Sequence, residues 1–70
     1  MFKRVRELRE DHDITQKQMS ELLKIHQTTY SDYELGNLNI PIDVLINLAR
    51  YYGTSIDYIV ELTDDPNPYR

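Results

Sequence analysis

The chain has no cysteine, which excludes disulfides, thiolate metal sites and cysteine nucleophiles together. It has no apolar run long enough to cross a bilayer and no charged-then-apolar leader, so a cytoplasmic protein without membrane association is the expectation. Glycine is scarce, two residues in all, and neither belongs to a phosphate-cradling loop. The two histidines, His12 and His26, stand apart, and no nucleophile motif accompanies either. An enzyme is therefore not expected, nor is a cofactor. Asp11-His12-Asp13 has ligand-type side chains, but neighbours in a loop rarely converge on one centre and no further ligands cluster with them, so a solvated loop and no metal is the reading. Positive charge is also short. Eight Lys and Arg against twelve Asp and Glu leave a net charge of −4, which opposes a strong non-specific hold on nucleic acid.

What remains is the composition of a folded domain, 40% hydrophobic and 29% charged, without repeats or low-complexity segments. At 70 residues it is one domain with a small core, for which self-association is a natural supplement. In Met1 to Glu10, Phe2, Val5 and Leu8 recur every three residues, predicting an amphipathic helix. Lys3, Arg4, Arg6 and Arg9 all fall in it, either as a basic stripe or as a solvated face partnered by Glu7 and Glu10. Thr15 and Gln18 have the spacing of a capping box, so a second helix begins at Gln16 and turns Met19, Leu22 and Leu23 to one face. Lys24 and Ile25 break the period. His26 to Asp32 restarts it, with Thr29 or Tyr30, then Tyr33, inward.

Gly36 to Pro41 reads as a connector. From Pro41 to Tyr52 a broad stripe of Ile42, Leu45, Ile46, Leu48, Ala49 and Tyr52 predicts the central core helix. Gly53 stops it, and Ser55 caps a last helix with Ile56, Ile59 and Leu62 inward and Asp57 in its first turn. Tyr51, Tyr58 and Val60 are expected to be partly exposed, as a dimer contact centred on Tyr58 or as rim aromatics. The tail from Thr63, with two of the three prolines, is expected to be extended and loosely held.

The stretch from Thr15 to Gly36 resembles the helix-turn-helix of the Cro/cI-like, or XRE, group of DNA-binding regulators. Thr15-Gln16 opens the first helix as in that group, Ser20 stands at the close crossing of the two helices, and Tyr33-Glu34-Leu35-Gly36 matches the closing Tyr-Glu-x-Gly. The likeness runs from Phe2 to about Leu62. It departs at Lys24, where a turn glycine is usual, at Tyr30, where an aliphatic anchor is usual, and in the lack of Lys or Arg in the second helix and the following loop. The resemblance implies an all-α, compact five-helix domain over residues 1–63, with the motif at 16–35 and an extended tail at 64–70.

It also implies a site. Such proteins lay the second helix in the major groove of double-stranded DNA, with its early residues at base edges and the first helix across the backbone. His26, Gln27, Thr28, Ser31 and Asp32 then face the groove. Gln27 and Thr28 match base-touching positions, where Gln can bond bidentately to adenine and the Thr methyl can meet thymine. Gln16 matches a phosphate-contacting position, with Lys17 beside it. Asn37 and Asn39 can donate to phosphate without bringing charge, and Lys24 can reach one. Asp32 repels phosphate but can accept from a cytosine amino group. Arg9 and Glu34 are placed opposite one another as an ion pair. The expected function is a sequence-specific transcriptional regulator binding operator DNA as a homodimer. The alternative is a protein-interaction module on the same fold, partner to a repressor or antitoxin, with weak or no DNA binding, favoured by the acidic balance.

Overall fold

The computed structural model describes residues 2–68, and the expectations for Met1, Tyr69 and Arg70 lie outside them. Five helices follow in order: α1 (Lys3–Asp11), α2 (Gln16–Leu23), α3 (Gln27–Leu35), α4 (Ile42–Tyr52) and α5 (Ile56–Ile59). The predicted capping box is present. Thr15 Oγ1 accepts from the Gln18 amide at 3.1 Å while Gln18 Oε1 accepts from the Thr15 amide at 2.9 Å, so two otherwise orphaned donors are satisfied where α2 starts. Ser55 Oγ does the same work for α5, accepting from the Tyr58 amide.

All five helices end alike. After each, one residue turns left-handed and the next amide reaches back five residues: Ile14 to Arg9, Ile25 to Ser20, Asn37 to Asp32, Thr54 to Ala49 and Leu62 to Asp57. This closes the last orphaned carbonyls in the Schellman pattern. Gly36 and Gly53 supply the left-handed residue after α3 and α4, where a side chain would be strained. Asp13, Lys24 and Glu61 take it elsewhere with φ of 55°, 58° and 65°. Lys24 thus occupies the usual turn-glycine position in the conformation that favours glycine.

Val5, Met19, Tyr30, Leu48 and Ile59, one from each helix, are almost wholly buried and form the centre of the core. Tyr33, Val44, Leu45 and Ala49 complete it, with Phe2, Leu8, Ile14, Leu23 and Ile25 packed around. Three residues expected inside are outside: Leu22 is 53%, Ile42 63% and Leu62 77% exposed. Leu22 sits about 60° around α2 from Met19, at the edge of the buried arc. Ile42 is the first residue of α4, ahead of the turn that meets the core, and Val44 takes the inward place. Leu62 fails to continue the α5 stripe because the helix stops at Ile59 and Glu61 reverses the backbone.

The tail is held by side chains of the domain rather than loosely. Arg4 donates to the Tyr58 carbonyl at 2.9 Å, to the Thr63 carbonyl at 2.5 Å and to Asp64 at 2.5 Å, and Thr54 Oγ1 donates to the Pro66 carbonyl at 2.6 Å. The Arg4 guanidinium also lies 4.3 Å from the Tyr58 ring centre. Tyr58 is therefore half-buried, with one face covered by the guanidinium and the side chain partly exposed as expected.

Candidate nucleic-acid interface

The N-terminal ends of α2 and α3 meet beside an open cleft of about 290 Å3 lined by Gln16, Gln27, Thr28, Ser31 and Asp32. The sequence builds this locally. The Thr15 cap sets Gln16 at the first helical position, and the left-handed Lys24 folds the chain sharply enough that His26 can open α3 from an extended conformation. Ser20, 3% exposed, lets the helices cross closely because its hydroxyl turns back onto the Lys17 carbonyl at 2.7 Å.

Five of the eight residues expected at the site thus line one cleft. Gln27 and Thr28 are exposed, and Ser31 and Asp32 half-exposed. His26 is exposed but is the N-cap of α3, not its first helical residue, and its side chain makes no capping bond. Lys17 is exposed one residue from Gln16 and does not line the cleft. Asn37 lies past the end of α3, where its side-chain amide donates to Asp32 Oδ1 at 3.3 Å. Asp32 is doubly engaged there, since its carbonyl also accepts from the Asn37 and Leu38 amides at 2.9 and 3.3 Å.

Behind the cleft, Arg9 of α1 and Glu34 of α3 are paired through both carboxylate oxygens, at 2.7 Å from Nε and 3.2 Å from Nη2. Glu34 Oε1 also accepts from the Gln16 side-chain amide at 3.0 Å, and Arg9 Nη1 donates to the Ile14 carbonyl at 2.9 Å. One carboxylate therefore joins α1, α2 and α3. Burial pushes the Glu34 carboxyl up, but donation from Arg9 and Gln16, with the Tyr30 hydroxyl close by, outweighs it, and the pKa lies below the ordinary range. Tyr30 is driven the other way, chiefly by burial and then by Glu34, and stays protonated. Its hydroxyl has no hydrogen bond of good geometry, and neither has that of Tyr52. The Gln16 contact is not evident from spacing. A tyrosine in the aliphatic anchor position is the one signal that a polar atom reaches this region.

The other two arginines of α1 are also engaged. Arg4 holds the tail, and Arg6 pairs with Glu10 one turn on at 3.4 Å. Among the described residues Lys3, Lys17, Lys24 and Arg50 have no ion-pair partner, and of these Lys17 is next in sequence to the cleft. No group of three or more metal-ligating side chains occurs among the described residues, and none of their helices is long and apolar enough to cross a membrane.

Two short helices crossing at a small residue, the second closed by a carboxylate tied to the first helix of the domain, define a helix-turn-helix protein. The family's sequence model, described as helix-turn-helix, matches residues 5–59, and the chain belongs to that family, in its Cro/cI-like (XRE) group of regulators. It is 45% identical over 65 residues to the uncharacterized HTH-type transcriptional regulator YobD of Bacillus subtilis. That alignment covers 93% of this chain and 58% of the relative, so the chain spans little more than half the relative's length. No solved structure matches the chain.

Proposed function

We propose that this chain is a cytoplasmic, sequence-specific DNA-binding transcriptional regulator that reads operator DNA as a homodimer, with α3 and its N-cap His26 in the major groove. The polar cleft at the joined ends of α2 and α3 carries the reading: Gln16, Gln27, Thr28, Ser31 and Asp32 present amide, hydroxyl and carboxylate groups together. Gln27 and Thr28 supply base recognition, while Gln16, Lys17 and Asn37 face the phosphate backbone. With few free cations near it, one domain makes few charged phosphate contacts, and a second copy about one helical turn away doubles them. The test is selection of genomic DNA fragments by the purified protein, followed by footprinting. Two related half-sites spaced by about one turn support the reading, and failure to retain any fragment rejects it.

The second reading, a protein-interaction module with weak or no DNA binding, is favoured by the engagement of Arg4, Arg6 and Arg9 within the domain and by the net charge of −4. It predicts no retained fragment and no salt-dependent binding to any duplex.

A further inference from the structure

Two exposed apolar side chains, Leu22 of α2 at 53% and Tyr51 of α4 at 48%, flank a single groove. It has a volume of about 360 Å3 and is lined by Asp13, Ile14, Gln18, Glu21, Leu22 and Tyr51. Past Leu22 and Tyr51 a second depression continues it toward Met19, Lys24 and Asn47. Neither the Asp13 nor the Glu21 carboxylate has an ion-pair partner, so one end of an apolar trough carries two uncompensated negative charges.

The groove is separate from the cleft at the end of α3. At about 100° per residue, Gln18 and Leu22 lie about 200° and 240° around α2 from Gln16, on its opposite side. None of the groove residues lines the α3 cleft. Both surfaces are open at once.

We propose that this groove docks an amphipathic, basic helical segment of another protein, its apolar ridge over Ile14, Leu22 and Tyr51 and its Lys or Arg side chains beside Asp13 and Glu21. Charge decides the occupant. A second copy would bring a net charge of −4 to an acidic site, and the arginines of its α1 are already committed to Asp64, Glu10 and Glu34. An apolar ridge with basic flanks instead satisfies the exposed Leu and Tyr together with both carboxylates.

The experiment uses the full chain, 15N-labelled, and two synthetic amphipathic helices of about four turns sharing one leucine ridge, with lysine on the flanks of one and glutamate on the flanks of the other. The lysine helix should shift the amide signals of Asp13, Gln18, Glu21, Leu22 and Tyr51, and the glutamate helix should not. Glu21→Lys and Leu22→Ser are surface changes whose folding the same spectra verify, and each should weaken the lysine helix about tenfold. Shifts spread over other acidic surfaces, or equal binding by both variants, overturn the proposal. So does a concentration-dependent dimer that Leu22→Ser abolishes, since a second copy would then be the occupant. No DNA enters this measurement, so its outcome is independent of the reading of α3.

Discussion

Glu34 grips Arg9 with both carboxylate oxygens, and with 3% and 12% of their side chains exposed, the two charges are removed together from most of the solvent that would screen them. The geometry is bidentate, the strong arrangement for a guanidinium and a carboxylate. Because Gln16 shares Oε1, the pair also fixes one residue of the polar cleft, linking packing in α1 to the surface proposed to meet DNA.

Removing one member of this pair should be worse than removing both. Arg9→Ala leaves a buried carboxylate without its charge partner, and Glu34→Ala leaves the guanidinium, each at a cost of about 3 to 5 kcal/mol. The double variant should lose less than the sum of the singles. Thermal or urea unfolding of the four proteins reads the coupling directly, and purely additive small losses would contradict it.

Stability should fall in acid through the same group. The folded Glu34 pKa is below its unfolded value, so its contribution is fully present above the unfolded value of about 4.3 and is lost as pH drops through the folded one. Glu34→Gln lacks this linkage. The stability gap between wild type and Glu34→Gln should therefore narrow below about pH 4, as measured by urea midpoints across pH. A gap that stays constant down to pH 2 would separate Glu34 from acid unfolding.

Much of this was readable before the structure because local rules and tertiary packing agree. Thr15 with Gln18, Gly36, Gly53 and Ser55 each have one dominant backbone role, and each takes it. Sequence and structure part where periodicity alone decides depth. Leu22 and Ile42 have helical spacing, but whether the edge of an apolar arc is covered depends on the neighbouring element, which spacing does not contain. Leu62 was lost to a three-dimensional fact of the same kind, the early end of α5 at the left-handed Glu61. At the cleft, the helix register indicates which residues share a face, whereas the hydrogen bonds from Gln16 to Glu34 and from Asn37 to Asp32 join residues too far around or beyond their helices for spacing to reveal.

Lys24→Gly should stabilise the domain by about 0.5 to 1 kcal/mol. The left-handed backbone costs a side-chain-bearing residue about 1 to 2 kcal/mol, part of which is offset by the greater freedom glycine has in the unfolded chain. Lys24 has no ion-pair partner to lose and is exposed. The measurement is the shift in melting temperature with the helical signal unchanged. A destabilised Lys24→Gly would mean that the lysine side chain contributes to packing at the turn.

The last prediction separates charge from base reading within the cleft. Asp32 points a carboxylate into the surface proposed to face DNA, and its Oδ1 holds the Asn37 amide at 3.3 Å. Asp32→Asn keeps an oxygen for Asn37 and removes the negative charge, so affinity for random duplex should rise through weaker repulsion of phosphate. Gln27→Ala should act differently, weakening only the preferred site, by about 1 to 3 kcal/mol where a bidentate adenine contact is lost. Because Arg4 and Arg9 are spent inside the domain and Arg6 is paired with Glu10 on its surface, wild-type affinity should fall only gently with salt. Salt titrations of the three proteins on selected and scrambled duplexes test all of this. If Asp32→Asn and Gln27→Ala change affinity equally on both duplexes, the cleft attracts or repels DNA without reading it, and sequence specificity must come from elsewhere in the chain.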